Sequence, residues 1–274
     1  MRPENTPLRD IYPKEWATCG FNLSNTYIAE YRNLQHFKYH VAGLTQKQDS
    51  YCGISYADAV DELRQGVSTM NKGTYETIKN KVKANLLKRG LIADTVYESY
   101  KYDVEGDIVD VAKVIAQDPC CCLVPNESYT NHFYELYVSV SYPSYVDNKD
   151  VMDNMAKILA TVELLEQEHY YCKLTLVMPN EGCNNGSGPS NYLGLIPLFS
   201  HKDIKTIETM SSVLNDRLLR KFFFAVWEDQ YGISLCSSYG SAKELPMTIR
   251  PVDLDECDLA SDIINRVITP CLTR

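Results

Sequence analysis

Between Phe133 and Met178 the order of apolar and polar positions defines the clearest unit in the chain. Phe133 to Ser141 is an apolar run rich in β-branched and aromatic residues, broken at Pro143. Val151, Met152, Met155, Ile158, Leu159, Val162 and Leu165 then recur at helical spacing, with Asp153, Asn154, Lys157, Glu163 and Glu166 on the other face. Asp147, Asn148 and Asp150 offer N-cap oxygens just before that helix. Tyr171 to Met178 is a second strand-like run. Strand, crossover helix and strand predict a βαβ unit over 133–178 with parallel strands, the apolar helix face laid on the sheet by a right-handed crossover. Ser139, Ser141 and the 142–150 loop then fall at the carboxyl end of the first strand, where open α/β sheets hold ligands.

The same patterning orders the rest of the chain. Residues 1–25 read as an extended arm anchored by Trp16 and Phe21, and 26–42 as a helix with Tyr27, Ile28, Tyr31, Leu34 and Phe37 on one side. Ser55 with Asp58 predicts a capped helix from Tyr56 to Gln65, ended by Gly66. Thr74 to Arg89 is amphipathic, with Tyr75, Ile78, Val82, Leu86 and Leu87 inward and Lys79, Lys81, Lys83, Lys88 and Arg89 outward. Thr95 to Asp103 alternates as a half-buried strand, and Asp107 to Ala116 reads as a short helix with Ile108, Val111, Ala112 and Ile115 apolar. Pro179 to Ser190 is a Gly- and Asn-rich loop without phosphate-cradle spacing. Tyr192 to Phe199 follows as a strand whose Pro197 favours an end or an edge. Helices over 203–214 and 216–229, a strand at Met247–Arg250 and a helix from Asp258 to Ile268 complete the pattern. Leu219, Phe222, Phe223, Val226 and Trp227 are the expected buried face of the 216–229 helix. The fold expected is α/β, a mainly parallel sheet with flanking helices. Residues 1–54 form an arm and helix packed on one domain spanning 55–274.

Composition narrows function more than it names one. With 45% hydrophobic and 23% charged residues the chain is globular rather than disordered. A formal net charge of −9 opposes broad nucleic-acid binding, which needs clustered Lys and Arg. Lys79, Lys83 and Lys88 make one local basic stripe, a solvated face or a contact for an acidic partner or nucleic acid. No run approaches the roughly 18 apolar residues of a membrane span, and the start lacks signal-peptide features, so a soluble cytoplasmic protein is expected. The cysteines lack metal or disulfide spacing; Cys120-Cys121-Cys122 cannot all face one tetrahedral ion, and reduced, mostly buried thiols are expected. His36 and His40 stand four apart but have no third ligand nearby in sequence. Cys172 with His169, and Ser141 with His132, are the nearest approaches to a catalytic pair, each without a third group.

These pieces carry a resemblance. A strand ending in serines, a crossover helix and an apolar strand look like the opening of a von Willebrand factor A-type domain. The order of the short helix at 55–66, the Gly106 to Cys120 segment, the βαβ core and the Arg220 to Glu228 helix resembles an uncharacterised family carried by bacteriophages and bacterial mobile elements. The likeness covers 55–230. The parent domain type holds a divalent cation through Asp-x-Ser-x-Ser after its first strand. Laid on this chain, that motif falls at Ser139, Ser141 and Pro143, with a serine where the aspartate belongs and Asp147 or Asp150 as the nearest carboxylates. The resemblance therefore implies a core without a working cation site, and no other cofactor. It implies a non-enzymatic protein-interaction module of a phage or mobile element, acting in the bacterial cytoplasm on a protein partner of phage or host origin. A self-associating virion structural protein and a metal-dependent hydrolase on the same sheet are the alternatives.

Overall fold

The computed structural model describes residues 13, 15–21, 26–44, 54–65, 72–93, 100–105, 108–125, 131–142, 146–181, 191–203, 216–231 and 241–268. Its elements in chain order begin with α1 (Glu15–Thr18), β1 (Thr26–Glu30), α2 (Leu34–Ala42), α3 (Tyr56–Gln65) and α4 (Lys72–Lys88). Next come β2 (Tyr100–Asp103), β3 (Ile108–Val109), α5 (Val111–Ile115), β4 (Cys122–Pro125) and β5 (His132–Ser139). Then follow α6 (Asn148–Gln167), β6 (Tyr170–Glu181), β7 (Asn191–Phe199), α7 (Asp216–Tyr231), β8 (Ser241–Ala242), β9 (Thr248–Ile249) and α8 (Glu256–Ile268).

The βαβ unit forms as its periodicity predicts. β5 and β6 pair in parallel from His132↔Tyr170 to Ser139↔Val177, and Asp147 caps α6 by accepting the Lys149 N–H at 2.8 Å. The main sheet runs β1-β7-β6-β5-β9, with β8 antiparallel to the end of β6. Pairing is parallel at β1·β7, β5·β6 and β5·β9 and antiparallel at β6·β7, so the sheet is mainly parallel. A second, antiparallel sheet, β2-β4-β3, stands apart from this path.

Side-chain alternation sorts the core into two layers. Leu136, Val138, Leu174, Leu176, Met178 and Ile196 face α2, α6 and α7 in the larger cluster. Tyr137, Val177, Leu193 and Leu195 face the other way and meet Trp16, Phe21 and Leu245. Trp16 packs edge to face on Tyr137, their ring centres 5.1 Å apart, and donates its indole N–H to the Pro246 carbonyl at 2.9 Å. The arm is thus held by its two expected anchors, through a helical turn. Phe37, Phe222, Phe223 and Phe224 are wholly buried, each such ring contributing about 1.5–3 kcal/mol. α7 approaches β7 closely at Gly194, where an added Cβ would fall on the Phe223 ring.

Several elements differ from the pattern-based reading. Residues 26–42 are a strand and then a helix: β1 pairs with β7, and Asn33 starts α2 by accepting the His36 N–H at 2.8 Å. In place of the expected helix from Asp107 to Ala116, residues 108–116 hold a two-residue strand and a five-residue helix, because Ile108 and Val109 pair with β4 and Asp110 caps α5; Asp107 lies outside the described residues. β6 runs on through Pro179–Glu181, taking in the start of the expected loop. β7 is an interior strand, and its Pro197 lies past the last residue that β1 reaches, where no ladder N–H is needed on that side. Lys79 turns inward rather than out. The capped α3, α4, α7 and α8 stand where expected, while Gly66 and the 204–214 part of the first helix of the pair lie outside the described residues.

Candidate functional site

The end of β5 brings together two of the four residues singled out there. Ser139 and Ser141 are buried; the Ser141 hydroxyl donates to Asn180 Oδ1 at 2.5 Å, and Ser139 Oγ accepts the Ser141 N–H at 3.3 Å. A residue from β6 that the sequence did not flag, Asn180, therefore completes this set. Asp147 and Asp150 sit on the exposed first turn of α6, and an Asp147 oxygen is committed to the helix cap. The two hydroxyls bond within the protein, and Ser139 brings no negative charge where the cation motif has its aspartate. These residues do not fit a hard divalent ion.

Of the pairs weighed for catalysis, Ser141 and His132 are held far apart. His132 opens β5 and Ser141 follows its end, about 30 Å along an extended strand. Cys172 is fully buried, while His169 sits at a left-handed turn (φ 65°) with its carbonyl accepting the His132 N–H. His36 and His40 are also occupied: His40 Nδ1 shares a hydrogen bond with the Tyr31 hydroxyl at 2.9 Å, and His36 Nδ1 accepts the Arg32 N–H at 3.4 Å. Burial holds His40 below the usual imidazole range, with nearby Asp229 opposing in part.

The basic stripe divides. Lys79 reaches Glu163 of α6 at 2.5 Å, and Glu163 also accepts the Tyr75 hydroxyl at 2.8 Å. Burial, and then the Glu163 charge, push the Tyr75 hydroxyl well above its ordinary range. Lys79 is thus a packing cation between α4 and α6. Lys83 is half-buried, and Lys81, Lys88 and Arg89 remain at the surface.

Among the described residues, another exposed apolar surface lies on α5, beside the small sheet. Val111, Val114 and Ile115 follow helical spacing along one side of α5, at 67%, 47% and 78% exposure, and none of the residues of α5 is buried. Val104, just after β2, and Val109, within β3, are also exposed. The frame that carries them is well bonded. Asp110 accepts the Ala112 and Lys113 N–H groups and the Tyr102 hydroxyl, and its own N–H donates to the Cys121 carbonyl. Asp118 takes Lys113 Nζ at 2.9 Å and the Cys120 N–H at 2.9 Å, so both ends of α5 are tied to the segment leading into β4. Sequence pattern marked Val111 and Ile115 as apolar, and apolarity at helical spacing ordinarily signals burial; exposure is legible only in the fold.

Fold and surface together define a mixed α/β protein with a helix-covered sheet and a small antiparallel accessory sheet presenting an aliphatic stripe. The chain belongs to a family described as a domain of unknown function (DUF7192), whose model matches residues 6–271. No curated protein and no solved structure matches it. Among the described residues no helix is long and apolar enough to cross a membrane.

Proposed function

We propose that this chain is a protein-interaction module and that α5 is its docking surface. The observation that carries this is the exposed Val111, Val114 and Ile115 stripe on a frame pinned at both ends. Leaving a large aliphatic side chain in water forgoes about 1.5–3 kcal/mol that burial would yield. Three on one helix face therefore favour a covering partner. A pre-formed stripe loses little conformational freedom on binding, which favours affinity.

Within this reading, β5, α6 and β6 are a von Willebrand factor A-like core without its cation motif. The order strand, crossover helix, strand supports that, as does the serine standing for the aspartate at 139. The short segments at 55–66, 106–120 and 220–228 support an origin in a phage or mobile element.

The test places a photo-crosslinking amino acid at Val114, and separately at Lys88, in cells that express the chain. The expected result is an adduct with one other protein from position 114 and none from 88. Absence of an adduct at 114, or an adduct only with a second copy of this chain, would overturn the proposal; the second outcome would favour a self-assembling structural protein.

A further inference from the structure

We infer that the partner segment docking on α5 is amphipathic and basic, an apolar ridge flanked by Lys or Arg. The inference rests on the reading of α5 as a docking surface and adds the chemistry of what it takes.

Charge on the module supports it. Between residues 100 and 125 the chain carries Asp103, Glu105, Asp107, Asp110 and Asp118 against Lys101 and Lys113. Lys113 is occupied: its ammonium pairs with Asp118 and lies 3.7 Å from the centre of the Tyr102 ring. Asp110 is held below the usual carboxylate range by the Tyr102 hydroxyl and then the Lys113 N–H, so it is negative throughout the physiological range. Glu105 is exposed on the turn after β2, one residue beyond exposed Val104. The stripe is therefore an apolar strip in a negative field.

Three classes of occupant fit poorly. A second copy docking through the same surface would set these carboxylates against themselves. Anionic lipid and nucleic acid would meet like charge as well. A segment presenting Leu, Ile or Phe to Val111, Val114 and Ile115, with Lys or Arg beside Glu105 and Asp110, satisfies both features at once. Rim pairs of this kind steer association and set specificity, and salt weakens them.

The test uses two labelled synthetic helical peptides with one Leu face, the other face all Lys in one and all Glu in the other. Fluorescence polarisation is read against the full chain, against Val111→Ser with Ile115→Ser, and against Glu105→Lys. Circular dichroism melts confirm that each variant is folded. The Lys peptide should bind about tenfold or more tighter than the Glu peptide. That preference should shrink in about 0.5 M salt and in Glu105→Lys, and binding should be lost in the double serine variant. Vesicles rich in phosphatidylserine should not bind. Equal binding of the two peptides, binding that survives loss of the stripe, or vesicle binding would overturn the inference. Tighter binding of the Glu peptide, abolished by the serine variant, would overturn the basic partner alone and leave α5 as a docking surface. Crosslinking from position 114 judges that surface separately.

Discussion

Lys79 and Lys88 lie on one helix, two charges on the same expected stripe, yet only Lys79 is built into the packing. Its side chain is 18% exposed against Glu163, which also holds the Tyr75 hydroxyl, whereas Lys88 is exposed. Lys79→Ala leaves a half-buried carboxylate short of a partner and should destabilise the protein by about 1–3 kcal/mol, measured by urea denaturation. Lys88→Ala should stay within about 0.5 kcal/mol. Equal values for the two would remove Lys79 from the packing. Gly194 is the other single residue on which much depends. In Gly194→Ala the new Cβ meets the Phe223 ring, and overpacking of this kind costs about 1–3 kcal/mol. Adding Phe223→Leu should recover part of the loss, a non-additivity that a double-mutant cycle reads directly. Strict additivity would mean that the ring and the glycine do not touch.

At the scale of elements, α5 and α7 carry similar apolar spacing and opposite fates. Phe223→Ala in α7 should cost about 3–5 kcal/mol, a large share of a domain's typical 5–15 kcal/mol, and should yield an unstable or insoluble chain. Val111→Ser with Ile115→Ser in α5 should leave the melting temperature nearly unchanged. A large drop in melting temperature would show that the stripe is covered in the folded chain. Local signals were enough for β5, α6, β6, α3, α4 and α7, because caps and periodicity agree with the packing there. They failed at β1, whose Tyr27 and Ile28 also suit a helical face. What makes 26–30 a strand is β7, far away in the chain. They failed at Glu163, whose polarity reads as solvent and is instead the joint between α4 and α6. Ser139 and Ser141 were legible as a strand end, but Asn180 was not, since it arrives from the far end of another strand.

Across the whole molecule, tyrosines set the alkaline limit. Burial, reinforced by Glu163 at Tyr75, Glu135 at Tyr137 and Asp229 at Tyr56, pushes these hydroxyls upward, and burial does so strongly at Tyr134. Above about pH 10 the unfolded chain releases these protons while the folded chain keeps them, so stability falls as pH rises. Below that pH the contribution is fully present. Urea midpoints should therefore be flat from about pH 7 to 9 and decline from about pH 10, with native tyrosine ionisation lagging behind that of unfolded protein by ultraviolet absorbance. Simultaneous ionisation in both states would remove the effect. The Trp16 clasp carries a consequence of another kind, for synthesis. Its indole waits for a carbonyl 230 residues further on, and ribosomes add roughly 5–20 residues per second. Tyr137 and Val177 thus emerge before Leu245 and Pro246 exist, and for roughly 10–50 s a nascent chain holds its first tryptophan ready for a partner not yet made. A ribosome stalled short of Pro246 should display Trp16 with water-exposed, red-shifted fluorescence, and the face it covers is the surface a chaperone would meet first.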